Sequence, residues 1–411
     1  MNFNRPKRQQ PTGVLRYSCG ILFALFTFCY LYFLEGEVLA EAQYVFSKGV
    51  TTYSILIGAG IITLVLALLQ KLVAFVSRLP EKLHALSYIP SALALAILTD
   101  TDEHVMNDFS FGIWLWLAPL VLVIYTIVVI AVRVMDIDFK SEQDEGLQSI
   151  LYPNYIILFA LILSAGSVAH TSDVYHFELK AERLILEGDY EGASQVGINS
   201  LRTSPRLSQL RMYALSKQGL LAEKIFEYPQ YDGALGLLDV GDTIGHYRFS
   251  NEGICFHIGA LCGKSVKGTE RYLHLMTTDS LRTQTAIDYQ LCRLLLKKDL
   301  NAFQHQLPMY YNLSDTLPGC YDSLPKAYKE ALLIIGDKES AMQGILRIGG
   351  DSITTFADTT LANRYKDYNY MKSTNTDMLE KINRTHRTYG NTFWWYYEFS
   401  DKAVGDLRVK N

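Results

Sequence analysis

Three short clusters in this 411-residue chain hold residue types that do chemistry, and in each the spacing is wrong for it. Gly259-Ala-Leu-Cys-Gly263-Lys264-Ser265 carries the lysine and hydroxyl of a phosphate-binding loop. Such a loop needs four residues between its glycines, so that successive backbone N–H groups curl around the phosphates. Here three intervene, and Ile258 stands where the first glycine belongs. His104 and Asp108 sit one residue too close for the His-x4-Asp arrangement in which histidine is the base for acyl transfer. Asp100, Asp102, Glu103, His104 and Asp108 offer hard ligands without calcium-loop spacing, which reads as a solvated acidic loop. Cys255, His257 and Cys262 form a C-x-H-x4-C cluster that fits no zinc spacing.

The cysteines read as buried thiols. Cys19 and Cys29 fall in an apolar stretch and act as small apolar residues. Cys255 and Cys262 on one helix would lie about 10.5 Å apart along its axis, beyond disulfide reach. A bridge would join different helices, for instance to Cys292 or Cys320. No GxSxG elbow or HExxH helix occurs, and the nine histidines are dispersed. Accordingly no catalytic residue, cofactor or metal ligand is assigned, and no enzymatic activity follows. The net charge of −4 provides no basic face for nucleic acid.

The elements that would position any site are of two kinds, with a break near His170. Before it lie five apolar stretches, about 17–34, 53–69, 85–99, 111–132 and 151–169. All but the third have the length to cross roughly 30 Å of hydrocarbon as a helix. The third is short and contains Pro90, so a re-entrant or interfacial helix is its alternative. Trp114, Trp116, Tyr152 and Tyr155 sit near segment ends, where aromatic residues suit the interface.

Charge argues for five crossings. Arg5, Lys7, Arg8 and Arg16 precede the first segment, Lys71, Arg78 and Lys82 follow the second, and Arg133 and Lys140 follow the fourth. The alternate loops are poor in bases. Basic loops held in the cytoplasm put the N-terminus inside and everything after about residue 170 outside. The N-terminus also resembles a secretory signal with a cleavage point after Ala40, but its apolar run is long and reads as an uncleaved anchor. The segment cores contain no ionisable group, so the helices anchor and pack; polar Gln70, Asn154 and Ser164 could line a small cavity.

Residues 171–411 have helical apolar spacing, as in Leu291, Leu294 and Leu295, and an all-α domain is expected. Phe177, Ala181, Leu184, Gly188-Asp189-Tyr190, Ala193, Leu201 and Pro205 resemble the tetratricopeptide repeat, in which a small residue lets paired helices approach and a GDY-like turn joins them. Gly197 and Ser200 depart from that pattern and imply a degenerate second helix. Fragments around Gly219, Asp299 and Gly336 follow at irregular spacing. The resemblance implies a divergent superhelix of helix pairs; an irregular bundle is the alternative. It places Tyr175, Glu178 and Glu182 on groove-facing positions, as candidate partner contacts against a solvated surface. Phe393-Trp394-Trp395-Tyr396-Tyr397 either packs on the last helices or stays exposed to meet the bilayer or a partner.

The stretches AERLILEGDYEGA, LSKQGLLAEKIFEYPQ, LPKAYKEALLI and YGNTFWWYY also resemble an uncharacterised family of multi-pass membrane proteins from Bacteroides-type bacteria. That resemblance implies a bacterial envelope location and carries no catalytic residue. Together these readings predict an inner-membrane protein whose partners are the lipid bilayer and an envelope protein or peptide bound by a periplasmic helical domain. An envelope enzyme or transport component, with a site between the two halves, is the alternative.

Overall fold

In a computed structural model the chain forms two compact units, Met1–Ser172 and Asp173–Asn411. The structure describes residues 11–100, 112–134, 147–168, 172–200, 202–228, 230, 232–241, 244, 248–260, 268–278, 282–311, 323–336, 346–348, 351–353, 359–374 and 377–407. Asp102, Glu103, His104, Asp108, Leu201, Cys262, Lys264, Ser265 and Cys320 therefore lie outside the described residues.

The first unit comprises α1 (Pro11–Phe33), α2 (Gly36–Phe46), α3 (Ile55–Ser77), α4 (Ile89–Thr99), α5 (Trp114–Val134) and α6 (Leu147–Val168). Five stretches are long and apolar enough to cross a membrane: Gly13–Phe33, Ile55–Ser77, Glu81–Thr99, Trp114–Val134 and Gln148–Ser167. Large apolar side chains on α1, α3, α5 and α6 remain exposed, which hydrocarbon accommodates and water would not.

Hydrogen bonds at the helix ends fix how these five run. The Arg133 guanidinium, at the end of α5, donates to Ser77 O at 2.7 Å and closes the carbonyl end of α3. Asn154, near the start of α6, donates to Glu81 O at 2.8 Å and accepts from Ala85 N at 2.6 Å, at the start of the third stretch. At the opposite end the Tyr30 hydroxyl of α1 meets Thr99 Oγ1 of α4 at 3.4 Å, and Trp114 Nε1 of α5 donates to Asp100 at 2.6 Å. Successive stretches thus alternate in direction.

The third stretch begins earlier than expected. A 3-10 helix, Glu81–Tyr88, leads into α4, and Pro90 lies in the first turn of α4, where its missing N–H leaves no helical bond broken. With rises of about 2.0 Å per residue in the 3-10 part and 1.5 Å in the α part, the stretch reaches roughly 32 Å. It is also the most buried of the five, so its polar groups meet protein. Gln70 Nε2 donates to Ser87 Oγ at 2.9 Å, and Ser91 Oγ donates to Leu66 O at 3.0 Å. Ser164 remains exposed and bonds only within its own helix. Ala40 is buried in the middle of α2.

The second unit contains α7 (Asp173–Glu187), α8 (Tyr190–Gln195), α9 (Pro205–Lys217), α10 (Leu221–Lys224), α11 (Asn251–Ile258), α12 (Thr269–Thr278), α13 (Gln284–Leu296), α14 (Leu300–Tyr310), α15 (Lys326–Ile335), α16 (Thr359–Thr374), α17 (Met378–Tyr389) and α18 (Phe393–Leu407). A three-residue antiparallel pair, Leu346–Ile348 with Asp351–Ile353, is the only strand structure among the described residues.

Three helical hairpins end on the same device. Gly188, Gly219 and Lys298 take φ of 82°, 70° and 59°, and the next residue's N–H reaches back five residues, Asp189 to Leu184, Leu220 to Leu215 and Asp299 to Leu294. In two of them that next residue also caps the following helix: Asp189 accepts from Gly192 N, and Asp299 from Ala302 N. Ala181 and Ala193 are fully buried, as close approach of α7 and α8 requires.

α8 stops after six residues, where Val196 turns extended ahead of left-handed Gly197, and the Val196 carbonyl accepts two bonds from Arg211, at 3.0 and 2.6 Å. Pro205 opens α9 behind the Ser204 cap. Every residue from Arg206 to Leu215 is buried, so the charges on α9 need partners. Arg206 finds Glu182 at 2.6 Å, and Glu182 Oε2 also accepts the N–H groups of Arg248 and Phe249.

The expectation of buried thiols is corrected at Cys255, which is disulfide-bonded. Cys292 is a free, fully buried thiol.

Candidate functional site

The packing of α17 and α18 against the segment after α10 leaves a cavity of about 350 Å³. Its walls come from Ile198–Ser200, from Phe226, Glu227, Tyr228 and Gln230, from the end of α17 with the turn at Gly390 and Asn391, and from one face of α18 carrying Trp395, Tyr396 and Ser400. Aromatic rings make much of the lining. Phe226 and Tyr396 have centroids 5.0 Å apart, and Tyr396 is fixed by a hydroxyl bond of 2.8 Å to Leu296 O.

Polar atoms of this lining are left over by the fold. Gln230 spends its amide nitrogen on Ile225 O at 2.9 Å, while its Oε1 has no hydrogen-bond partner among the described residues. The indole N–H of Trp395 and the hydroxyl of Ser400 are also unpartnered among the described residues. Each of these side chains is 6% exposed. A buried polar atom left unmade costs about 1–3 kcal/mol, and three of the unpartnered atoms found among the described residues fall around this one cavity.

His386 adds a fourth group. Its ring centroid stands 4.5 Å from that of Trp395, and burial pulls its pKa below the ordinary histidine value, so the imidazole is neutral at pH 7. Gly390 makes room for it: a Cβ there would come within 2.5 Å of His386 O and 3.1 Å of Nε2. The side chains around the cavity thus carry one acceptor, one donor, a hydroxyl and a neutral imidazole, and the first three of these atoms are closed off from solvent as folded. Such an inventory suits an uncharged group that both donates and accepts, such as a peptide amide.

Of the five residues singled out in the sequence, only Trp395 lines this cavity. Trp394 is fully buried and donates its indole N–H to Glu330 O at 2.9 Å. Tyr175, Glu178 and Glu182 are buried at 3%, 7% and 1% exposure, Glu178 accepting from Ser204 and Glu182 holding Arg206. α9 covers the face of α7 that the repeat pattern leaves open, so as folded these three present almost no surface. Gln230, His386 and Ser400 had no sequence signal beyond the neighbouring YGNTFWWYY stretch.

A second polar cluster is closed on itself. Asp288 accepts from Gln284, Tyr311 and Tyr328 at 3.1, 3.2 and 3.1 Å, and burial raises its pKa. His257 bonds Ser216 Oγ at 3.0 Å, and burial, with Lys217 nearby, lowers its pKa to about 4. No group of three or more potential metal-ligating side chains occurs among the described residues.

Comparison with curated proteins and with solved structures finds no match. The chain is similar over residues 264–400, which include the α17 and α18 walls of the cavity, to a family of unknown function (DUF6057).

Proposed function

We propose that this protein is a membrane-anchored binding module of the bacterial envelope, its soluble unit receiving an uncharged polar segment of an envelope protein or peptide in the α17–α18 cavity. The observation that carries this reading is the set of three unpartnered buried polar atoms on Gln230, Trp395 and Ser400 around one aromatic-walled space. A partner amide would satisfy them once these side chains turn toward the cavity, and anchoring would raise its local concentration near the membrane.

The proposed setting is the inner membrane, with the N-terminus in the cytoplasm and the soluble unit in the periplasm. The clustering of Arg16, Lys71, Arg78 and Arg133 at one end of the helices supports it. So does the disulfide at Cys255, which belongs to an oxidising compartment. The repeated left-handed turn at Gly188, Gly219 and Lys298 supports a tetratricopeptide-like origin of the soluble unit.

The test is a photo-crosslinking residue at exposed Thr388, on the cavity wall, in cells carrying the full chain. A discrete adduct that disappears in the Trp395→Phe, Ser400→Ala variant is expected. An adduct indifferent to that variant would refute the cavity as the binding site.

A further inference from the structure

A larger cavity, of about 760 Å³, lies within the first unit, between the N-terminal half of α1, the C-terminal half of α3 and the 3-10 helix Glu81–Tyr88. Three cations line it, Arg16, Lys71 and Arg78, with no carboxylate among the lining residues. All three side chains are exposed, and none makes an ion pair among the described residues. Arg78 stands at the left-handed C-cap of α3 with φ 47°, a position where glycine is comfortable and a side chain costs on the order of 1 kcal/mol. The guanidinium is thus held at the rim against local backbone preference.

Beyond the cations the lining turns apolar. Tyr17, Ile21 and Phe75 line the cavity and are 76%, 65% and 73% exposed, on helices whose outward faces are apolar along their length. Gln70 and Ser87, bonded to each other, form its polar floor. A soluble anion would use the cations and leave the apolar trough wet; a neutral lipid would use the trough and leave three charges uncompensated. An anionic lipid uses both, its phosphate accepting bidentate guanidinium bonds and an acyl chain filling the trough.

We propose that this cavity is a binding site for an anionic phospholipid, with Arg16, Lys71 and Arg78 holding the headgroup and the Tyr17–Ile21–Phe75 side holding an acyl chain. The site does not depend on which side of the membrane the basic end faces, nor on the function of the soluble unit.

The test uses the full chain, delipidated in neutral detergent and offered phosphatidylcholine vesicles with or without phosphatidylglycerol, with bound lipid read by native mass spectrometry. Arg16→Gln, Lys71→Gln, Arg78→Gln together should weaken phosphatidylglycerol retention on the order of a hundredfold, at roughly fivefold per cation. Lys180→Gln, Lys366→Gln, Lys381→Gln, which removes equal charge from the soluble unit, should leave it unchanged. Arg78→Gly suits the left-handed backbone, so it should fold at least as well as the parent and still lose several-fold in retention. Glycerol phosphate in solution should not displace the lipid. Retention of phosphatidylcholine equal to that of phosphatidylglycerol, unchanged retention in Arg78→Gly, or displacement by glycerol phosphate would each overturn the proposal.

Discussion

Trp395 and His386 meet ring against ring, 4.5 Å between centroids and 64° between planes, and neither the Trp395 indole N–H nor the Ser400 hydroxyl finds a partner among the described residues. The adjacent tryptophan is its opposite. Trp394 is also buried, yet its N–H is bonded to Glu330 O. Two side chains consecutive in sequence thus divide between holding the unit together and facing a cavity.

That division predicts contrasting variants. Trp394→Phe removes a made hydrogen bond along with part of a buried ring, and should cost about 1–3 kcal/mol of stability. Trp395→Phe removes an unpaired donor along with part of a buried ring, and should cost less than Trp394→Phe. Thermal denaturation of the purified full chain measures both; a loss in Trp395→Phe as large as that in Trp394→Phe would mean that its N–H is satisfied within the fold.

Glu330 gives the second unit a pH response. It is 1% exposed, and desolvation raises its pKa from 4.5 to about 7 despite the 2.7 Å bond from Phe393 N and the nearby cations. A carboxyl raised on folding contributes stability that is fully present below the unfolded value and is lost as pH rises through the folded one. The window is therefore from about 4.5 to about 7. Denaturation midpoints should fall across it by an amount on the order of 3 kcal/mol in free energy. Glu330→Gln should flatten the profile, and an unchanged slope in that variant would assign the response elsewhere.

The Glu182–Arg206 pair ties α7 to α9 and to the backbone at Arg248 and Phe249. Both side chains are nearly inaccessible, so removing one leaves an uncompensated buried charge. Glu182→Ala should destabilise by about 3–5 kcal/mol, and the double variant Glu182→Leu, Arg206→Met by much less. Equal losses in the two would show that the backbone bonds, rather than the charge pair, dominate.

In the membrane unit Asn154 does for the third stretch what water does for a soluble loop. It serves Glu81 O and Ala85 N where non-helical Leu83 interrupts regular bonding. Asn154→Leu leaves both groups unserved in a dry setting, and should lower stability in detergent by about 1–3 kcal/mol per group. Asn154→Asp, which keeps the acceptor for Ala85 N, should rescue only part of the loss.

The sequence exposes some of this and hides the rest for physical reasons. A bilayer crossing needs consecutive apolar residues, so the five stretches are visible directly. The start of the third is hidden because Glu81–His84 looks polar, and only Asn154, far along the chain, makes those residues part of the helix. The Gly188-Asp189 turn is local and readable. Glu178 and Glu182 carry the signature of a surface, since charge is normally solvated. Their burial is decided by Ser204 and Arg206, more than twenty residues on. The cavity is assembled from Gln230, His386, Trp395 and Ser400, whose closeness is a property of packing and has no spacing to read.

The most direct test of the binding role is the Thr388 crosslink in living cells, compared between the parent and the Trp395→Phe, Ser400→Ala variant of matched stability. One recurrent adduct, present in the parent and lost in the variant, is the predicted result. The same adduct in both, at the same yield, would contradict a partner seated on these side chains.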